Sequence, residues 1–433
     1  MPNDNSKKAV TLRDVRDIVE GAFGPELWKA LKAALDVICS LSLKERTNPV
    51  ALILEGPSGR GKSTVINICE PCLDATRKVL YRLDSFTPKS FVSHSASTPR
   101  DKMAEVDLLP KLKDKVLLTK ELAPLFRGGD NDLRTNFATL TAVLDGKGHM
   151  SASGVHGTRG YNTRLVFNWL GGTTPVPPRT DAIMGQMGNR LLRYEIFGPE
   201  VSEEELLEFA LNSEAAKTED FCREIVNDFL DGHFRRYPVN SIDPSTIRFS
   251  KELMLHLVRL SRLLAQARVE ITRPENTQPG EDIFIASSPE GPHRIVRIFK
   301  ILVQGLALME GRSGVSENDL EIIQHVALSS IPSHRRRVLR AVIEKHGELN
   351  SAQAEKLLNV SRPTSRTWMR ELAATGIVQW TDSDGNSPAK IILDQKCSWL
   401  LPADQPGTAQ SLGDSEDPHE GGCLPQDDIG LPS

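Results

Sequence analysis

The sequence predicts an α/β protein: a parallel sheet flanked by helices, then a helical unit, then a winged helix-turn-helix. Three observations carry this expectation. Short apolar runs of strand type alternate with helical stretches from residue 50 to about 198, the pattern of a parallel sheet with crossover helices. From 201 to 332 the apolar spacing is helical. From 333 to 396 the order is three helices and two strands.

Taken in order, residues 11–46 carry Val15, Ile18, Val19, Phe23, Leu27, Leu31, Leu35 and Ile38 at helical spacing, and Gly24-Pro25 predicts a break into two helices. Five strands are expected at Val50–Leu54, Lys78–Leu83, Lys115–Thr119, Arg164–Leu170 and Leu191–Ile196, with a helix over 102–113. Residues 202–270 read as helical and 272–292 as a loop rich in Pro, Gly and Ser. A helix Arg294–Met309 follows, then another capped by Ser316 with Asp319 three residues on. In the last unit the helices are Arg335–His346, Ser351–Leu358 and Arg362–Ala374, and the strands are Ile377–Trp380 and Lys390–Leu393. Residues 397–433 are expected to be a disordered acidic tail.

Composition narrows the function classes. A chain of 433 residues with 39% hydrophobic and 25% charged residues is that of a soluble protein of several domains. Net charge is −4, so a nucleic-acid contact has to be a local patch. No apolar run reaches membrane-span length and residues 1–8 hold no signal-peptide core, so no membrane partner is expected and the cytoplasm is the default location. Cys69-Glu-Pro-Cys72 is a C-x-x-C with no second pair to answer it, and is read as buried or incidental thiols.

The stretch Gly56, Pro57, Ser58, Gly59, Arg60, Gly61, Lys62, Ser63, Thr64 fits G-x-x-x-x-G-K-[ST] between a strand and a helix. Glycines let backbone N–H groups turn inward around a phosphate; Lys62 can reach the β- and γ-phosphates and Ser63 can ligate Mg²⁺. The implied ligands are ATP, or another nucleoside triphosphate, and Mg²⁺. Hydrolysis also needs a carboxylate at a neighbouring strand end. Glu121, after Lys115–Thr119, is the acid offered, for the metal or for the attacking water; Lys120 precedes it where a second acid is usual. Asp84 and Asp145 are the reserves.

Asp145–Gly160 is glycine-rich and carries Lys147, His149, His156 and Arg159, the pattern of a projecting hairpin with cations for a phosphate backbone. Asn168, Thr173 or Thr174 could orient a water. Arg190 and Arg193 sit at the entry to the last strand, where an arginine could reach a neighbouring subunit's γ-phosphate; Arg294 could fold down on the phosphates. The helix at 362–374 presents Arg362, Thr364, Arg366 and Arg370, short donors and arginines suited to a DNA groove, while Asp382 and Asp384 in the wing do not suit phosphate.

The order of phosphate loop, strand-end acid, basic hairpin, polar strand end, arginine and helical lid opening on Pro292-His-Arg294 resembles an AAA+ ATPase. The hairpin is similar to the pre-sensor hairpin of the minichromosome-maintenance and magnesium-chelatase branch. Leu118-Thr-Lys-Glu121, Leu144-Asp-Gly146, Thr174-Pro175 and Gly188-Asn-Arg-Leu191 also resemble the helicase half of phage- and plasmid-type primase-helicases. The resemblance covers about residues 50–330. It implies that Asn168 or Thr174 is a first sensor, Arg190 the finger and Arg294 a second sensor. It implies a homo-oligomer, hexameric in the ring-forming case, acting on nucleic acid with DNA favoured. Three functions stay open: a DNA-dependent helicase or translocase, an ATP-switched DNA-bound loader or regulator, and a protein-remodelling machine.

Overall fold

The structure is a computed structural model that describes residues 9–94, 97–154, 157–196, 202–204, 207, 215–274, 283–383 and 388–402. The chain opens with α1 (Leu12–Phe23), capped by a reciprocal Thr11–Asp14 pair, and α2 (Pro25–Cys39). Gly24 at φ 82° separates them, a left-handed position where a Cβ would be strained, and Pro25 starts α2.

Five strands form one all-parallel sheet: β1 (Ala51–Glu55), β2 (Leu80–Arg82), β3 (Val116–Thr119), β6 (Asn168–Thr173) and β7 (Leu192–Glu195), in the spatial order β2-β3-β6-β1-β7. Between β3 and β6 the chain makes a separate antiparallel hairpin, β4 (His149–Ser153) with β5 (Gly157–Tyr161). Both faces of the sheet are covered, which is why β1 is apolar without alternation. Leu52 and Leu54 pack with α2 and α3 (Lys62–Ile68). Ala51 and Ile53 pack on the other side with α6 (Leu108–Leu112), α7 (Asp130–Val143) and α8 (Pro178–Gln186). The short α4 (Asp74–Val79) leads into β2, and α5 (Met103–Val106) precedes α6.

All five expected strands are present, and two expectations shift. The expected helix over 102–113 is broken at Asp107, whose backbone leaves the helix so that its buried carboxylate can accept from Ser93 N (2.6 Å), Tyr161 Oη (2.8 Å) and Arg159 Nη2 (3.1 Å). The fourth strand starts at Asn168 rather than Arg164. Leu165 N donates to Gly146 O and Val166 O accepts from Asp114 N, so residues 164–167 lie outside the sheet ladder. The strand then runs through Gly171 and Gly172. Side chains there would meet Leu122 Cδ1 at 2.4 Å and Lys120 O at 2.7 Å, so the glycines let the chain after β3 close down on β6.

Helices α9 (Ala215–Arg236), α10 (Lys251–Ala267), α11 (His293–Met309) and α12 (Glu317–Ser329) follow, with a two-residue pair, β8 (Ile271–Thr272) at the start of the expected loop and β9 (Ile285–Ala286) inside it. The Ser316–Asp319 cap of α12 is present. The C-terminal unit contains α13 (Ser333–Glu344), α14 (Ser351–Leu358) and α15 (Arg362–Ala374). Its three-stranded sheet, β10 (Glu348–Asn350), β12 (Lys390–Leu393) and β11 (Val378–Thr381), has one strand more than expected. The disorder expected from 397 does not begin there: Gln395–Leu400 is a 3-10 turn with Cys397 and Leu400 buried, and residues 403–433 lie outside the described residues.

One apolar cluster runs without interruption from α1 and α2 through the sheet and helices α9–α12 into the C-terminal unit. Helix α2 is its centre. It lies against β6 on one side, where Asn168 bonds Val37 O and Ser40 Oγ, and against α11 on the other. There Asp36 abuts Gly305, and Lys32 pairs with Glu310 at 2.7 Å. Cys69 is fully buried and burial pushes its thiol up to about 12.

Two outcomes follow from this packing. An alanine Cβ at Gly305 would sit 2.2 Å from Asp36 Oδ1 and 3.2 Å from Ser40 Cβ. Gly305→Ala is expected to cost about 1–3 kcal/mol in urea unfolding. On α9, His233 is buried beside Ser42 Oγ, and burial pushes its pKa down to about 4. The unfolded chain binds that proton near pH 6.5. This contribution is therefore complete above about pH 6.5 and is lost as pH falls towards 4, up to about 3 kcal/mol. Urea midpoints between pH 7 and 4.5 should fall more steeply for the parent than for His233→Gln.

Candidate functional site

Strand β1 ends at Glu55 and the chain turns through 56–61 into α3. Gly56 N donates to Thr173 O at 3.2 Å, which ties the loop to the end of β6. Gly59 and Gly61 both have φ +80°, and a side chain at Gly61 would meet Leu27 Cδ1 at 2.3 Å. The Lys62 side chain is buried back along the loop, and its Nζ donates to Gly56 O (2.7 Å) and Pro57 O (2.6 Å). Burial lowers its pKa and the charge of Glu121 opposes that shift. Pro57, Ser58, Gly59 and Ser63 are exposed, while Arg60 and Thr64 are half-buried. The loop is thus an open lip with an ammonium folded into it, and the Ser63 hydroxyl is accessible to a metal–phosphate group.

Parallel pairing brings the C-terminal ends of β1, β6 and β3 to this lip. Glu121 follows β3, is exposed, and is held by Ala123 N at 2.7 Å. Lys120, the lysine in the place of an acid, turns away to Glu70 at 2.8 Å and leaves the space beside Glu121. Thr173 at the end of β6 is 1% exposed and its hydroxyl has no hydrogen-bond partner among the described residues. Thr174, next to it, is half-buried. Asp84 is an exposed partner of Arg82.

Asn168 is a correction. It opens β6 instead of ending it, so it lies at the far rim of the sheet, fully buried, with Oδ1 accepting from Val50 N and Nδ2 donating to Val37 O and Ser40 Oγ. It fixes α2 to the sheet and has no access to the loop. Sequence pattern puts it towards a strand end because the apolar run begins at Arg164.

Arg190 and Arg294 also sit at the far rim, beside each other. Arg190 pairs with Asp145 at 2.8 Å; Arg294 donates to Asn189 O (2.9 Å) and Glu290 (2.7 Å). Burial lowers the Arg294 pKa. Because β7 runs parallel to β1, the segment before β7 is at the end of the sheet opposite Gly56. Arg294 therefore does not fold down on this chain's own 56–64 loop, a second correction, and Arg190 could meet only another copy's loop. Asp145 is at the same rim and is no reserve acid for the loop. Arg193 lies within β7, 2% exposed, pairing Asp181 at 3.2 Å and Glu55 at 3.9 Å, so it is not an edge arginine.

The cluster that sequence reasoning missed surrounds Glu55. This carboxylate, 1% exposed and one residue before Gly56, accepts from Val176 N (2.9 Å) and from Arg336 on α13 (3.2 Å). Arg336 also reaches Glu195 at the end of β7 (2.7 Å), and Arg340, one turn on, pairs the other oxygen of Glu195 (2.6 Å). The first helix of the C-terminal unit is thereby bolted to the ends of β1, which leads into the 56–61 loop, and of its neighbour β7. The i, i+4 spacing of Arg336 and Arg340 was the available signal. Their shared partner Glu195, 141 residues before Arg336, had none.

On the hairpin, Lys147 is exposed at the root and His149 is half-buried, with its pKa lowered by burial and then by His94. Arg159 corrects the expectation of a free cation: it pairs with buried Asp107 and donates to Ser93 O, and His94 bonds Ser151. The hairpin is clasped to residues 91–107 rather than projecting freely. His156 lies outside the described residues. On α15, Arg362 is exposed, Thr364 bonds Ser361 in the cap, and the guanidiniums of Arg366 and Arg370 lie 6.0 and 4.8 Å from the Trp380 ring centre. Arg370 also approaches Asp382 at 3.4 Å. Asp384 lies outside the described residues.

Removing Arg336 leaves the buried Glu55 carboxylate without its arginine on α13. Arg336→Met is expected to cost about 3–5 kcal/mol in urea unfolding, and Glu55→Gln in the same chain should recover part of that loss.

No family model matches this chain, and no curated protein matches it in sequence.

Proposed function

We propose that this chain is an AAA+ ATPase that binds ATP at residues 56–64 and couples it to nucleic acid, DNA in preference, as a homo-oligomer. One observation carries the reading: the 56–61 loop joins a central parallel strand to a helix, with the Lys62 ammonium folded over it and Glu121 and Thr173 at the ends of the next two strands. Lys62 binds the β- and γ-phosphates. Ser63 and Glu121 are the residues to hold Mg²⁺, which when bound neutralises phosphate charge. Glu121, exposed and held by Ala123 N, orients a water, and the unpartnered hydroxyl of Thr173 replaces Asn168 as the polar group beside it, with Thr174 next in line. Arg190, at the opposite rim, would serve only in trans, in an oligomer. The C-terminal unit is read as a winged helix whose exposed Arg362 leads its DNA contact.

A motor and a switch both use this site. The docking of α13 on β1 and β7 through Arg336 and Arg340 favours a switch, because the ends of the phosphate-loop strands and the DNA-binding unit then share a buried ion pair. Clasping of the hairpin by Asp107 removes one cation from the motor reading.

Steady-state ATP turnover, with and without single- and double-stranded DNA, tests the proposal. Wild type should hydrolyse ATP faster with DNA. Lys62→Ala should lose ATP binding, and Glu121→Gln should keep binding while turnover falls about 100-fold. Equal turnover in wild type and Lys62→Ala would sink it. Unwinding of a forked duplex identifies a motor; DNA binding that changes with ATP without unwinding identifies a switch.

A further inference from the structure

We infer that the far rim of the sheet carries a second phosphate site, a hollow that grips the sugar–phosphate backbone of nucleic acid independently of its sequence; this rests on the nucleic-acid reading above. The hollow has a volume of about 420 Å³ and is lined from three parts of the chain: Lys147 at the root of the β4–β5 hairpin, Arg164 before β6 and Arg297 on α11. Lys147 and Arg297 are exposed and neither forms an ion pair among the described residues. Arg164 donates to the carbonyls of Glu45 and Arg46, which leaves its charge uncompensated. The one acid in the lining, Asp145, is already paired with Arg190 at 2.8 Å.

Three converging cations around a cavity whose acid is taken form a site for an anion. Asn48 and Asn162 add carboxamide groups, the lining holds no aromatic ring on which a base could stack, and the hollow is at the opposite end of the sheet from the 56–64 loop. A free nucleotide would need recognition of its base; a backbone phosphate needs only charge and donors. Lys147 and Asn162 in the lining flank the two strands of the hairpin, so a bound strand would run from the hollow towards β4, where Met150 is half-exposed. Lys147 belongs to the sheet unit and Arg297 to α11, so a strand bound here would touch both.

The test is binding of full-length protein to a fluorescent single-stranded oligothymidine and to a mixed-sequence strand over 50–300 mM salt. Each phosphate that a variant no longer neutralises should lower the slope of log K against log salt by about 0.7. Arg297→Ala and Lys147→Ala should each do so, the pair by about twice as much, with the same weakening on both strands. Both side chains are exposed, and a melting curve checks that each variant folds. An unchanged slope in both, with Arg362→Ala weakening binding, would overturn the hollow and leave the nucleic-acid reading standing. If the wild type binds no strand at any salt, that reading fails and this one with it. An intact slope with loss of concentration-dependent ATP turnover would assign the hollow to a neighbouring copy of the chain and overturn the proposal.

Discussion

Glu55 is the constraint on which the rest of the molecule depends. A carboxylate almost without solvent exposure, at the last position of β1 inside the sheet, is tolerable only if it is surrounded by donors. It receives the Val176 amide, lies near Arg193 and takes Arg336 from a helix 281 residues further on. Those donors dictate positions: Arg336 cannot reach Glu55 unless α13 lies across the ends of β1 and β7, and Glu195 then fixes Arg340. The C-terminal unit is therefore part of the same packed body as the sheet and not a module on a tether. Its first helix supplies charge to the end of the sheet that carries residues 56–64, and its third helix leaves Arg362 exposed.

The fold was legible where local pattern determines it. Apolar runs at residues 50–54, 115–119 and 191–196 are strands because a doubly covered sheet needs buried residues on both faces, and Ser351–Leu358 and Arg362–Ala374 are bounded by caps that sequence displays. Patterns failed where a tertiary partner decided the backbone. Asp107 interrupts a helical apolar pattern because three donors from elsewhere need it, and residues 164–167 look like strand but bond back to Gly146 and Asp114. The site was legible to the same degree. Residues 56–64 carry their geometry locally, and Glu121 follows from a strand end. Asn168, Arg159, Arg193 and Arg294 have suitable chemistry, yet their burial and partners are long-range facts. Glu55, just past the expected Val50–Leu54 run, carried no local mark, and Arg336 carried only its i, i+4 spacing to Arg340, which does not name a partner.

The sheet divides the chemistry between its two ends. The C-terminal ends of β1, β3 and β6 hold Lys62, Ser63, Glu121 and Thr173; the opposite rim holds Arg190, Arg294, Lys147, Arg164 and Arg297. Parallel strands produce this separation, since every strand presents the same end to the same rim. Residues that chain order would gather around one nucleotide are thus split about a strand's length apart. In the oligomer proposed above, Arg190 would meet the 56–64 loop of another copy, while Lys147, Arg164 and Arg297 belong to the hollow.

Helix α2 carries a consequence for how the chain acquires its structure during synthesis. It is made early, yet it lies between β6 and α11, whose residues are translated more than 100 and 250 positions later. Until residue 309 has left the ribosome, Ala30, Leu31, Ala34, Leu35 and Ile38 have no complete set of neighbours, and the Asp36 carboxylate has not met the glycine that shelters it. The sheet can assemble earlier from contiguous strands, but its helical face must wait. The nascent chain therefore exposes an apolar helix for most of its synthesis, a vulnerability to aggregation set by topology and independent of the stability of the finished molecule.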